Sequence, residues 1–120
     1  MIFMTAGQTL ECEASAATSL CVTVYAKVTP LSSPNNWSYQ RVGFSALTGA
    51  ATVDVVTTCP SGSSYEVINI NVANSNSSAR AVRVWHVDSG DAAGSDNFIA
   101  YDATVPGNGA LTINKDGVSA

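Results

Sequence analysis

The sequence predicts an all-β domain of about eight strands in a β-sandwich, with a jelly roll as the expected topology. Three observations lead to this prediction. Apolar and polar residues alternate with period two, helical periodicity is almost absent, and the alternating stretches are separated by segments rich in Gly, Pro, Asn and Ser. Alternation sends one face of a strand to the core and the other to solvent. Short, regularly spaced strands with turn signals are typical of sandwiches, jelly rolls and barrels.

The first half of the chain contains four predicted strands. A short alternating stretch covers residues 8–14, and the clearest pattern follows at 20–28, where Leu, three Val and Ala share one face. Further short candidates are 39–47 and 52–58, the latter β-branched almost throughout. A Pro- and Asn-rich segment, residues 30–36, separates the second strand from the third and predicts a reversal of the chain.

The second half contains the other four predicted strands. Residues 65–73 alternate so that Ile68 falls on the apolar face, whereas Val67 is expected with the asparagines on the opposite face. Residues 79–88 alternate around valines, with the face that carries Arg83 expected to be the wetter one. The remaining two predicted strands cover residues 97–103 and 110–114.

Length and charge limit the classes of function. The 120 residues suffice for a single domain, residues 1–120, and 46% of them are hydrophobic, enough for a packed core. Only 12% are charged, against roughly 25% in an average soluble domain, so the surface is poorly protected against association. Five basic residues and a net charge of −4 exclude a phosphate-neutralising groove, so no nucleic-acid partner is expected.

Two further expectations concern location. No apolar run reaches the 18 or more residues that a membrane span requires, so no membrane partner is expected. The first five residues include no basic group and no long apolar core, which is unlike a signal peptide. We therefore expect the protein to be made and folded in a cytoplasm.

Three cysteines occur without a C-x-x-C spacing: Cys12, Cys21 and Cys59. An odd number of cysteines in a chain without a secretion signal argues against a disulfide framework. Buried, reduced cysteines that act as small apolar residues are the favoured interpretation. A disulfide between Cys12 and Cys21, facing each other across a hairpin, is left open.

No catalytic constellation is recognisable. The only histidine, His86, lies within a predicted strand, and no Gly-x-Ser-x-Gly elbow accompanies it. The chain is therefore expected not to be an enzyme and to need no cofactor. An acidic loop carries Asp88, Asp91 and Asp96, whose carboxylates offer an alternative interpretation as a cation site. Asp and Gly are also ordinary turn residues, and a solvated turn is the favoured interpretation.

Five residues are candidates for a contact with other proteins: Ile2, Phe3, Met4, Trp37 and Tyr39. The first three lie in residues 1–7, either an N-terminal arm or the first edge strand of the domain's own sheet. An arm predicts that removing residues 1–4 leaves a folded domain that binds its partner poorly. For Trp37 and Tyr39, three interpretations stay open: a lid on the core, a protein interface and a platform for sugar rings.

Five segments form a pattern that extends over both halves of the chain: TAGQTLE at 5–11, VININVAN at 67–74, AVRVWH at 81–86, IAYDATVPGNGAL at 99–111, and Asp-Gly at 116–117. Together they resemble small virion proteins of tailed bacteriophages. The resemblance implies a non-enzymatic virion component, a capsid decoration (cement) protein that acts as a homo-oligomer and binds the major capsid protein or other virion proteins. A receptor- or carbohydrate-binding module of a tail or neck fibre is the alternative. Either role places the protein in the virion.

Overall fold

In a computed structural model, which describes residues 2–16 and 20–120, the chain forms two antiparallel β-sheets packed face to face. The strands of this described part are β1 (Ile2–Met4), β2 (Thr9–Ala14), β3 (Leu20–Pro30), β4 (Ser38–Ala46), β5 (Asp54–Thr58), β6 (Ser63–Asn74), β7 (Arg80–Val87), β8 (Phe98–Val105), β9 (Ala110–Asn114) and β10 (Gly117–Ser119). A single turn of 3-10 helix, Pro34–Asn36, precedes β4. No helix within the described ranges is long and apolar enough to cross a membrane.

The predicted β-sandwich is confirmed. All eight predicted strands are present as β2 to β9, with their ends within a few residues of the predicted bounds. The structure also contains two short strands, β1 and β10. Each pairs with only one neighbour and is therefore an edge strand. Strands this short give no alternation signal of their own, so the sequence pattern did not predict β10.

The sheet order corrects the jelly-roll expectation. One sheet runs β10-β9-β6-β3-β4, with β1 beside β6, and the other runs β5-β2-β7-β8. In a jelly roll the first and last of the eight strands lie side by side. Here β2 pairs with β5 and β7, whereas β9 pairs with β6 in the other sheet. Strand count and alternation do not distinguish these orders, because both bury one face of every strand.

The core lies between the two sheets and follows the alternation of the sequence. In β3, Leu20, Val22, Val24 and Ala26 are each at most 1% exposed, as predicted. Burying each of the larger aliphatic side chains contributes roughly 1.5–3 kcal/mol relative to leaving it in water. The same pattern in β2 buries Leu10 and sends the glutamates of that strand outward.

A β-bulge in β6 overturns one predicted face. The register with β3 shifts so that Tyr25 lies opposite Asn69 and Ala26 opposite Val67, which leaves Ile68 as the extra residue. An extra residue exchanges the two faces on one side of it. Val67 is therefore buried, 3% exposed, and was wrongly assigned to the polar face, whereas Asn69 keeps its predicted outward direction.

The two sheets meet closely at the edge formed by β4 and β5. The hydroxyl of Thr57 donates a hydrogen bond to the carbonyl oxygen of Val42 at 2.9 Å. A Cβ atom on Gly43 would lie 2.5 Å from the carbonyl oxygen of Val56 and 2.8 Å from Cβ of Thr57. This approach leaves no room for a side chain at Gly43, and it closes one side of the sandwich.

We expect Gly43→Ala to lower the free energy of unfolding by about 1–3 kcal/mol, because the added methyl forces β4 away from β5. Gly94→Ala is the matched control, since its Cβ would meet only ordinary contacts, the nearest at 3.4 Å. Urea unfolding of both variants measures the difference. Equal midpoints for Gly43→Ala and the wild-type protein would contradict the close approach.

Candidate functional site

The outward side of the six-stranded sheet exposes a group of aromatic side chains. They are Phe3, Tyr25, Trp37, Tyr39 and Phe44, which are between 45% and 65% exposed. Large aromatic residues are usually at least half-buried, and a contiguous exposed group of them marks an interaction surface in many proteins. We call this surface the aromatic face and include in it the charged residues that lie among the rings, Lys27, Arg41 and Glu66.

Strand register brings the members of the aromatic face together from distant parts of the chain. Lys27 of β3 pairs with Tyr39 of β4 on one side and with Glu66 of β6 on the other. Glu66 in turn pairs with Phe3 of β1. Directly opposed residues of neighbouring strands point to the same side of a sheet. These four side chains therefore form one row across four strands.

Both cations of the aromatic face lie over aromatic rings. Nζ of Lys27 is 4.5 Å from the centre of the Trp37 ring, and the guanidinium of Arg41 is 4.6 Å from the centre of the Phe44 ring. Trp37 also packs edge-on against Tyr39, with ring centres 5.3 Å apart. Among the described residues neither cation forms an ion pair with a carboxylate. Cation–π contacts hold the rings in place and leave both positive charges available to a partner.

The five predicted interface residues separate into two groups. Phe3, Trp37 and Tyr39 lie on the aromatic face, whereas Ile2 and Met4 point to the opposite side of β1. Met4 is 0% exposed within the core, so its prediction as a partner contact is wrong. Ile2–Met4 pair with β6, so these residues form an edge strand and not a free arm.

A second aromatic cluster covers the outward side of the four-stranded sheet. Trp85 stacks on Phe98 with ring centres 5.2 Å apart, and Phe98 packs edge-on against Tyr101 at 4.7 Å. The guanidinium of Arg83 lies 4.5 Å from the centre of the Tyr101 ring. Unlike the rings of the aromatic face, Trp85 is only 4% exposed, so this cluster serves mainly to cover its own sheet.

Arg83 also organises the charges of that second cluster. Its Nε donates a hydrogen bond to Asp102 at 2.6 Å, and its Nη1 lies 3.7 Å from Glu13. The hydrogen bond from Arg83 holds the pKa of the Asp102 carboxyl below its usual range. Both groups are exposed to solvent, so salt screens the pair and it adds little to stability.

The acidic loop between β7 and β8 does not assemble a cation site. Asp88 accepts a hydrogen bond from the side chain of Gln8 at 2.8 Å, and Asp91 accepts one from the backbone N–H of Ala92 at 2.9 Å. No group of three or more His, Cys, Asp or Glu side chains in residues 2–16 and 20–120 is arranged to hold a metal ion. Among the described residues, Asp88, Asp91 and Asp96 are therefore not brought together as a set of ligands.

His86 has a structural partner. Its Nε2 lies 3.0 Å from Oε1 of Gln8, and the residue is half-buried. The same Gln8 oxygen accepts a hydrogen bond from the backbone N–H of Thr5. These contacts tie the loop after β1 to β7, and they place no nucleophile beside the imidazole.

The three cysteines are all free, and they differ in exposure. Cys12 and Cys59 are buried, as predicted, whereas Cys21 is exposed. Cys12 lies in the four-stranded sheet and Cys21 in the other, so the hairpin that would have paired them does not exist. Burial raises the pKa of the Cys12 thiol to about 12 and also raises that of Cys59.

We expect a thiol reagent at neutral pH to label Cys21 in the folded protein and to reach Cys12 and Cys59 only on unfolding, since the thiolate is the reacting form. Mass spectrometry of the native and the denatured protein measures the number of labels. Cys21→Ser is the control and should remove native labelling. Rapid native labelling of Cys12 would contradict its burial.

A small apolar notch opens where β1 and β9 meet end to end along the same edge of β6. Its volume is about 200 Å³, and it is lined by Ile2, Val67, Ile99, Ile113, Asn114, Gly117 and Val118. Small-molecule sites usually enclose roughly 300–1,000 Å³, whereas a cavity of about 150 Å³ holds a single benzene ring. The notch matches one side chain in size, and it offers too few polar groups to orient a substrate.

Comparison of the chain with protein-family models, with curated proteins and with solved structures finds no match. The fold and the surface therefore define the protein only as a β-sandwich with an exposed aromatic face.

The sequence pattern indicated only part of the aromatic face. Tyr25 and Phe44 were not singled out, although Tyr25 alternates with the buried residues Val24 and Ala26, which is the signal for an outward direction. Phe44 lies in a strand without buried residues, so alternation gave no such signal there. Their large size on a polar side of a strand was the available hint. Their proximity to Phe3 and Trp37 depends on pairing between distant strands, which alternation alone does not specify.

Proposed function

We propose that this chain is a non-enzymatic structural virion protein of a tailed bacteriophage, a capsid decoration (cement) protein that stabilises the shell by binding across capsid subunits as an oligomer. The aromatic face is the observation that supports this role. It presents five exposed rings on a domain with little charge. The resemblance of several segments to small phage virion proteins supplies the biological setting.

The composition of the aromatic face suits a protein interface. Tyr, Trp, Phe and Arg are enriched in the centres of interfaces and dominate their binding energy. Burying one exposed aromatic side chain on a partner contributes roughly 1.5–3 kcal/mol before the costs of association. Two or three such anchors together offset a large part of the cost of association, and the neighbouring Asn and Thr side chains suit a polar rim.

Cementing a shell means burying surface that spans neighbouring subunits. A protein that binds only the assembled state stabilises that state by mass action. The work is done by contact area and requires no chemical step. A rigid sandwich with a preformed face loses little conformational entropy on binding, because its side chains are already ordered by cation–π and edge-on contacts.

Gradient sedimentation of a native lysate from phage-producing cells tests the proposal. We expect the chain to travel with large particles and to leave them only under dissociating conditions. Electron microscopy of the particle fractions then separates capsid from neck or tail. Sedimentation only in the light fractions would overturn the decoration role.

A carbohydrate- or receptor-binding module is the second candidate, and the pair Trp37 and Tyr39 favours it. The two rings lie edge-on at 5.3 Å, both are exposed, and Asn35 and Asn36 precede them. Aromatic rings beside amide groups bind sugar rings by stacking and hydrogen bonding. Calorimetric titration with a panel of soluble glycans tests this role. Heat that disappears in Trp37→Ala supports the module, and the absence of heat with every glycan rejects it.

A further inference from the structure

We infer that the partner of the aromatic face is a second copy of this chain, which docks there with the outward side of its four-stranded sheet. The inference rests on the oligomer in the proposed function: the aromatic face joins the copies to one another, and the oligomer that results is the form that binds the particle. Charge complementarity, the chemistry of the opposite side of the sandwich and the size of the two surfaces carry it.

The two outward sides of the sandwich carry opposite charge. Among the strand residues of the aromatic face, Lys27 and Arg41 outnumber the single carboxylate of Glu66. Those two are among only five basic residues of a chain with nine acidic ones. The rest of the molecule is therefore more acidic than the net charge of −4 indicates. A partner drawn from the same chain consequently offers a negative surface almost everywhere except on its own aromatic face.

The outward side of the four-stranded sheet belongs to that negative surface, and we call it the acidic face. Glu11 and Glu13 alternate with buried residues of β2 and point outward, and Asp102 lies beside them in contact with Arg83. Three carboxylates stand there against one cation. The acidic face also exposes apolar groups, since Tyr101 is 59% and Val55 is 55% exposed.

The domain is large enough for each face to form a standard interface. Both are outer surfaces of twisted antiparallel sheets, and sheets of this kind pack face to face in sandwiches. The domain measures 46 × 26 × 22 Å along its principal axes. Its broad sides therefore exceed the area of about 800 Å² that each partner of a standard interface buries. Tyr101 and Val55 would lie against the aromatic rings while carboxylates approach Lys27 and Arg41.

Docking of unlike faces makes the association head-to-tail. Every copy then retains one free aromatic face and one free acidic face until a ring closes, and without closure copies add indefinitely. A repeating contact of this kind suits a protein that lines a regular shell or tube. It also predicts that the contact weakens with ionic strength, because part of its attraction is between exposed charges.

Analytical ultracentrifugation of the purified protein, with paired charge-reversal variants, tests the inference. The first variant is Lys27→Glu with Arg41→Glu, and the second is Glu11→Lys with Glu13→Lys. Each is expected to weaken self-association about ten-fold or more, the scale of close charge pairs at interfaces. The chain with all four changes restores opposite signs on the two faces and is expected to recover association. Lys115→Glu, and Asp91→Lys with Asp96→Lys, are the controls, because they change charge in turns and not on the sheet faces.

The outcomes separate this inference from the proposed function. A wild-type protein that stays monomeric up to about 1 mM at low salt overturns the inference, since contacts with a millimolar Kd would be detected. Association that only the Lys27 and Arg41 changes disturb also overturns it, because a different surface then faces those cations. A monomer that still sediments with particles leaves the decoration role standing. Conversely, a protein that self-associates as expected but is absent from every particle fraction supports the inference and overturns the decoration role.

Discussion

Replacing Met4 with Ala is expected to lower the free energy of unfolding by about 2–5 kcal/mol, the usual cost of truncating a fully buried methionine. Met4 is 0% exposed and belongs to the core cluster. Its strand pairs with β6, and its carbonyl oxygen accepts a hydrogen bond from the thiol of Cys59 at 3.6 Å. Truncation leaves a cavity that this pairing prevents from collapsing. Urea unfolding followed by circular dichroism measures the loss.

Phe3→Ala is the matched control for Met4, because it alters the adjacent residue of the same strand. Phe3 is 64% exposed, so its truncation is expected to change stability by less than about 0.5 kcal/mol. Removing residues 1–4 altogether should therefore destabilise the domain, contrary to the expectation for a free arm. Equal midpoints for Met4→Ala and Phe3→Ala would contradict the placement of β1 in the sheet.

Local patterning was sufficient to predict the eight longer strands, β2 to β9. Alternation at residues 20–28 follows directly from one buried and one exposed side, and the structure retains it residue by residue along the first part of β3. The pattern failed at Ile68, where a bulge inserts one residue and exchanges the faces. A bulge depends on the local twist against a neighbouring strand, and that information lies outside the segment itself.

The alternation pattern could not predict the order of the strands within the two sheets. Each strand buries one face whichever neighbour it has, so the hydrophobic pattern is equally satisfied by several strand orders. The choice depends on interactions between distant residues, such as the contact that Gly43 allows between β4 and β5. A glycine within a strand indicates that another part of the backbone approaches closely, but it does not indicate which strand that is.

The candidate site shows the same division between local and long-range information. Trp37 and Tyr39 were recognisable as interface candidates because they are neighbours in a turn-rich segment. Phe3 was proposed separately as part of an arm. Register through β3 and β6 places all three on one surface with Lys27 between them, and no local pattern contains that arrangement. Three members of the aromatic face were thus named from the sequence, whereas the surface that unites them was not.

Replacing three rings of the aromatic face, Phe3→Ser, Tyr39→Ser and Phe44→Ser together, is expected to remove the chain from particle fractions while leaving it folded. Each side chain is more than 60% exposed, so the fold loses little contact within the domain. Each contributes roughly 1.5 kcal/mol when a partner covers it, which amounts to a weakening of about a thousand-fold for the three together. The variant keeps Lys27, Arg41 and Trp37, so it removes apolar area and no charge.

Val53→Ser with Val118→Ser is the matched control for this loss. Both valines are exposed, at 40% and 48%, and neither contributes to the aromatic face. The control variant should sediment with particles like the wild-type protein, and thermal unfolding should show that both variants are folded. If the triple variant keeps the wild-type distribution, the aromatic face is not the docking surface, and the decoration role loses its main support. If the control variant is also lost from particles, the effect reflects general surface hydrophobicity and not a defined contact.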